Sequence, residues 1–232
     1  MSLLNNPIWT ALTTRQTQFA EGGDLARRYP IEVTALAALK FPTPEAFELL
    51  ARITKGDVAA LFFYDPVTIP TGWKTIHTSN LVQMICESPQ LANDKNAILI
   101  EELTAADTNE MVALTKLTNP GPFGTRTQEL GLYVGIRQQG RLAAMAGERQ
   151  RLPGYTEVSA VCTHPDFQGR GYARILISAV AGQIIERGET PFLHVREDNV
   201  GAIRIYEKLG FKTRAIFPFC VLRYESARAQ TK

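Results

Sequence analysis

Val161-Cys162-Thr163-His164-Pro165-Asp166-Phe167-Gln168-Gly169-Arg170-Gly171-Tyr172-Ala173-Arg174 joins an apolar strand to a strongly apolar helix through a loop with two glycines and two arginines. Pro165 blocks ladder pairing and biases His164 toward extended backbone, so a strand over residues 157–162 ends there. Gly169 and Gly171 then bring bare backbone to a helix start, where the first N–H groups have no intrahelical partner and the dipole presents partial positive charge. Arg170 and Arg174 add mobile positive charge. Such a site suits an anion, best a phosphate or pyrophosphate. The plain alternative is that the glycines only turn the chain and the arginines are solvated.

Two other phosphate loops can be tested on the same residues. A Walker loop needs Gly-Lys-Ser/Thr at its end, and no lysine follows Gly171 before Lys208. A dinucleotide fingerprint needs a small third residue where Arg174 stands, although Glu197 and Asp198 after the next strand keep that option open.

The whole chain has 232 residues, 45% of them hydrophobic, enough for one large core or two small ones. Two modules are expected, an N-terminal α/β region over 1–94 and a second domain over 95–232, joined through the polar stretch 88–96. The net charge of +2, from 25 basic and 23 acidic residues, argues for neither nucleic acid nor an anionic membrane as partner. Cys86, Cys162 and Cys220 are odd in number and set among apolar residues. They read as buried thiols in a reducing, cytoplasmic setting, with neither a disulfide framework nor a metal site. The longest apolar run, 58–64, is too short to cross a bilayer.

Along the first part, a helix is expected over 7–19, another from the Thr43-Pro44-Glu45 start, a strand over 58–64 and further strands over 73–78 and 81–85. Thr104 with Asp107 three residues on caps a helix carrying Met111, Val112, Leu114 and Leu117. Residues 132–137, 141–148 and 155–162 make an antiparallel meander. The helix after the glycine loop carries Leu176, Ile177, Val180 and Ile184 and stops at Gly188. The strand over 192–195 follows it, and the crossover rule sets that strand parallel to 157–162.

Gln168-Gly169-Arg170-Gly171-Tyr172-Ala173 resembles the Gln/Arg-x-x-Gly-x-Gly/Ala acyl-CoA loop of the GNAT N-acetyltransferase superfamily. Asn199-Val-Gly-Ala202-Ile-Arg-Ile-Tyr206-Glu-Lys-Leu-Gly210-Phe211 is similar to that family's closing signature, Asn-x-x-Ala-x-x-x-Tyr-x-x-x-Gly-Phe. The resemblance covers roughly 98–224, and the strand 157–165 with the ending 211–224 looks most like the branch of glycine N-acyltransferase-like proteins. It implies an α/β fold with a mixed, mostly antiparallel sheet and a central parallel strand pair splayed at the acyl-CoA site. Whether residues 1–94 are a degenerate half-copy of that fold stays open, since no motif supports it.

The resemblance also implies roles. Gly169, Arg170, Gly171, Tyr172, Ala173 and Arg174 would bind the pyrophosphate of acetyl-CoA, with Gln168 shaping the turn. The backbone of Val161 and Thr163 would meet the pantetheine arm, and Asn199 would touch the cofactor from the other side. Cys162 is most simply a core thiol. Tyr206 matches the tyrosine that protonates the leaving thiolate, with ordinary core packing beside Ala202, Ile203 and Leu209 as the alternative. The implied activity is transfer of an acetyl group to a primary amine of a small molecule, amino acid or peptide. The rival is an acyl-CoA-binding sensor without turnover, and a nucleotide-dependent oxidoreductase is disfavoured by Arg174.

For the base, Glu157 is the candidate, because period-2 alternation puts it on one face with Ser159 and Val161, roughly 13 Å back from the phosphate end. The alternative is a strand glutamate paired with Arg149 or Arg151 across the hairpin. Glu148 is second choice. His77, His164 and His194 are read as structural or surface residues. No motif names the acceptor, and a homodimer is left open.

Overall fold

The structure, a computed structural model, describes residues 2–90 and 98–225. α1 (Pro7–Thr13) is capped by Asn6, which accepts from the Trp9 N–H. The helix expected through residue 19 stops early. Hydroxyls of Thr10, Thr13 and Thr14 bond the carbonyls of Asn6, Trp9 and Thr10, competing with the ladder, and a single 3-10 turn covers Thr17–Phe19. β1 (Glu21–Gly22), β2 (Ala26–Arg28) and β3 (Ala37–Leu39) form a small antiparallel sheet. α2 (Pro44–Thr54) starts on the Thr43 cap and ends at Lys55 in left-handed conformation. β4 (Val58–Phe62) follows, and the two strands expected over 73–85 are one, β5 (Trp73–Ile85).

After β6 (Glu101–Glu102), the Thr104–Asp107 capping box forms as expected and leads into α3 (Thr108–Thr118). β7 (Tyr133–Gln138), β8 (Arg141–Leu152) and β9 (Tyr155–Thr163) are the antiparallel meander. α4 (Tyr172–Glu186), β10 (Thr190–Arg196), α5 (Val200–Lys208) and β11 (Lys212–Tyr224) complete the order.

Eight strands make one sheet in the order β4-β11-β5-β10-β9-β8-β7-β6. β9–β10 is its parallel strand pair, and the other paired neighbours run antiparallel. This is the expected mixed, mostly antiparallel fold. The expected division at 94/95 lies outside the described residues, and the sheet runs across it: β5 sits between β10 and β11. The N-terminal residues supply two strands of this sheet, two helices and the small β1–β3 sheet.

One face of the sheet packs against α4 and α5. There Leu176, Ile177, Val180 and Ile184 are buried with Val82, Met84, Val158 and Leu193. Each such side chain taken from water contributes about 1.5–3 kcal/mol, so this helix is anchored by its apolar stripe. The opposite face is covered by α1 and the Tyr29–Leu36 segment over Phe62 and Phe217, and by α3 over Cys162. No helix among the described residues is long and apolar enough to cross a membrane.

Candidate functional site

β9 and β10 pair only from Tyr155–Thr190 to Glu157–Phe192. Beyond that point β10 continues against β5 as far as Arg196, while β9 continues against β8 as far as Thr163. A gap therefore opens between residues 158–163 and 193–196, at the carboxyl ends of the two strands. The His164 N–H donates to the Ala143 carbonyl at 2.8 Å, so alternation turns the Thr163 N–H and C=O the other way, toward the gap. Val161 is half-buried against the α4 cluster.

The glycine loop closes the wide end of this gap. Gly169 and Gly171 have φ of 77° and 78°, left-handed values that suit glycine, and a Cβ on either would meet nothing within 4 Å. Gly171 is the N-cap of α4, with no side chain capping the helix and no acid in its first turn. Gln168, Gly169, Arg170, Gly171 and Arg174 are exposed, Ala173 is half-buried and Tyr172 is buried. The Arg170 guanidinium lies 5.2 Å from the Phe167 ring centroid, which holds its stem beside the loop. Bare amides, open space over two glycines and two arginines are a chemical fit for a pyrophosphate. Asn199 stands beyond the end of β10, where its side chain accepts from the Ala202 N–H at 3.2 Å and caps α5.

The alternation expected along β9 breaks at a bulge. Cys162 is opposite Met145 and Ser159 opposite Gly147, so β9 takes three steps where β8 takes two, and Ala160 adopts φ of 52°. Val158 and Val161 consequently both face α4, whereas Ala160 and Cys162 face α3 and Tyr133. Glu157 belongs to the second face and does not share one with Val161. This corrects the period-2 placement.

Glu157 is fully buried and held from two sides. Arg149 Nε donates to Oε2 at 2.9 Å and Nη2 to Oε1 at 2.7 Å, the cross-hairpin pairing considered as the alternative reading. The His194 Nδ1–H lies 2.8 Å from Oε1. Burial alone would raise the Glu157 pKa, but the Arg149 charge and hydrogen bonds outweigh it and hold the carboxyl at about 2. A carboxylate so paired is a very weak base. Glu148 is likewise buried, accepting from Arg187 at 2.6 Å.

His194, read from the sequence as structural or surface, is a buried structural residue. Its side chain is buried among Phe62, Phe192 and Phe217, with ring centroids 4.7, 5.8 and 5.6 Å away. Gln83 Oε1 accepts from Arg214 at 2.7 Å, so its amide nitrogen points at the Leu4 carbonyl and at His194 Nε2, 3.1 Å away. That arrangement makes Nε2 the acceptor and puts the ring proton on Nδ1, toward Glu157. Burial lowers the His194 pKa and keeps the ring neutral. The chain Arg214–Gln83–His194–Glu157–Arg149 thus crosses five neighbouring strands beneath the N-terminal segment. A lone histidine in an apolar strand carries no sequence signal for it.

Tyr206 projects from α5 into the α4 cluster, buried, with its ring edge-to-face with Phe211 at 5.9 Å. Burial, with a smaller contribution from Cys162, raises the phenol pKa well above 10, so the hydroxyl stays protonated. Burial likewise pushes the Cys162 thiol up to about 12. That makes it a poor nucleophile, in line with a core role.

A family model described as FR47-like protein matches residues 133–217. The N-alpha-acetyltransferase RimI of Mycobacterium tuberculosis is 32% identical over 130 residues, spanning 51% of this chain and 81% of that protein. An acetyltransferase of Yersinia enterocolitica is 51% identical over 53 residues, 22% of this chain, and the chain spans only 37% of that relative's length. Among solved structures, a GNAT-family protein from Novosphingobium aromaticivorans superposes with a TM-score of 0.89 at 37% identity, covering 97% of this chain and 100% of the other. A GCN5-related N-acetyltransferase from Kribbella flavida shares the fold, with a TM-score of 0.65 at 16% identity over 94% and 96% of the two chains. On these grounds the chain belongs to the GNAT acetyltransferase superfamily.

Proposed function

We propose that the protein is an acetyl-CoA-dependent N-acetyltransferase whose acceptor is an α-amino group. The observation that carries the reading is the gap between β9 and β10, closed by the uncapped, glycine-opened start of α4. The amides and arginines of residues 169–174 would hold the pyrophosphate, Gln168 would shape the turn, and Val161, Thr163 and Asn199 would line the path of the pantetheine arm. Acetyl-CoA supplies an activated thioester. The acceptor nitrogen attacks its carbonyl carbon, the C–N bond forms, the C–S bond breaks, and the proton lost by nitrogen balances the one gained by sulfur. Tyr206, matched by the closing signature, is the proposed donor to that sulfur, although burial makes it a weaker acid than a free phenol.

The locked carboxylates support an α-amine acceptor. With Glu157 paired to Arg149 and Glu148 to Arg187, neither is placed to strip a proton from an ammonium, which favours an amine that arrives neutral. The terminal α-amine of a peptide, pKa about 8, is roughly a tenth neutral at pH 7, whereas a lysine of pKa about 10.4 is neutral in well under one molecule per thousand. The similarity to a protein named as an N-alpha-acetyltransferase points the same way. Within the superfamily we place the chain near the glycine N-acyltransferase-like branch, on its 157–165 strand and 211–224 ending. The test is free-thiol release from acetyl-CoA with amino acids, short peptides and ε-amines as acceptors. Faster turnover on α-amines supports the proposal. Binding without turnover on any acceptor would favour an acyl-CoA sensor.

A further inference from the structure

Over the β9 bulge, on the face opposite α4, lies a cavity of about 10 Å³ walled by Tyr133, Arg149, Ser159 and Ala160 and roofed by residues 120–123. That volume takes roughly one oxygen atom. Tyr133 is 1% exposed, and its hydroxyl is buried with no hydrogen-bond partner among the described residues. A phenol so buried forfeits a hydrogen bond unless something enters the cavity to make it.

The second polar wall is the end of Arg149. Its Nε and Nη2 are taken by Glu157, while Nη1 reaches toward the roof, 4.0 Å from where a Cβ on Gly121 would stand. Tyr133, Arg149 and the Ser159 hydroxyl, which also lines the cavity, can all donate, and Arg149 is a cation whose charge Glu157 balances. Glu157, the neighbouring carboxylate, is consumed by Arg149 and His194. The cavity therefore suits an oxygen acceptor.

We infer that this cavity is a subsite for the oxygen that the acceptor carries next to its α-amine: the carboxylate oxygen of a free amino acid or the carbonyl oxygen of a peptide N-terminal residue. The inference rests on the acetyltransferase reading above. The bulge that shapes the cavity lies on β9, the strand whose parting from β10 opens the gap, and the gap is where the proposal puts the α-amine. Tyr133 would then determine specificity without taking part in proton transfer.

The experiment compares alanine, alaninamide and isopropylamine as acceptors for the wild-type protein and Tyr133→Phe, each kcat/KM referred to the neutral amine. The wild type should prefer the two oxygen-bearing acceptors, and which of the two is better separates an amino-acid from a peptide acceptor. Tyr133→Phe should cut that preference about three- to tenfold, the value of one neutral hydrogen bond. Because the hydroxyl lost has no partner, the variant should melt no lower than the wild type. Turnover with equal use of all three acceptors, or a preference that survives Tyr133→Phe, would overturn the subsite. Acetyl-CoA bound without turnover on any acceptor would overturn the activity on which it rests.

Discussion

Arg149 grips Glu157 through both ends of its guanidinium, at 2.9 and 2.7 Å, and its side chain is 8% exposed against 0% for the glutamate. The carboxylate that period-2 reasoning offers as a base is instead one half of a buried ion pair. Removing one partner would strand the other's charge, which costs about 3–5 kcal/mol. Arg149→Met should therefore destabilise by about that amount, and Arg149→Met with Glu157→Gln by clearly less. Urea unfolding of the single and double variants measures this, and additive losses would show that the pair is not coupled.

Stability should also fall with acid in two stages. His194 is held neutral, with its pKa below the ordinary 6.5, so the unfolded chain takes up that proton first and stability drops as the pH falls below about 6.5. Glu157 is held at about 2 against 4.5, so the stability it contributes is complete above about 4.5 and is lost as the pH falls toward 2. His194→Gln should flatten the first stage and leave the second. Melting temperatures between pH 7 and pH 3 would decide it, and an unchanged first stage would remove His194 as its cause.

With Glu157 and Glu148 both locked in ion pairs, the acidic limb of kcat/KM against pH should belong to the acceptor. Amines of different pKa should move that limb with them. A limb fixed at one pH for all acceptors would reveal a base on the protein.

The glycine loop was legible because its chemistry is local: two residues that need left-handed backbone, a proline that ends the strand before them, and a signature at Asn199–Phe211 downstream. The Glu157 pairing was named only as an alternative. The bulge that turns Glu157 away from Val161 sits on Ala160, an alanine with positive φ, and nothing in the sequence announces it. The place of β5 was hidden for a different reason. Its partners β10 and β11 lie more than a hundred residues along the chain, and a strand pattern says nothing of which distant neighbour it will pair with. The hydrogen-bond chain through His194 was hidden because an isolated histidine among phenylalanines looks like core until Gln83 and Glu157 are set on either side of it.

The central claim is that the start of α4 holds the pyrophosphate of acetyl-CoA. A Cβ at Gly171 would meet no protein atom within 4 Å, so Gly171→Val should cost the fold only the strain of a left-handed residue, about 1–2 kcal/mol. The same side chain would stand over the open amides. Calorimetric titration of acetyl-CoA into the wild-type protein and into folded Gly171→Val tests this most directly. Binding at one site in the wild type, weakened at least about tenfold in the variant, is the predicted result. Equal affinity in the two, or no binding to the wild type, would contradict it.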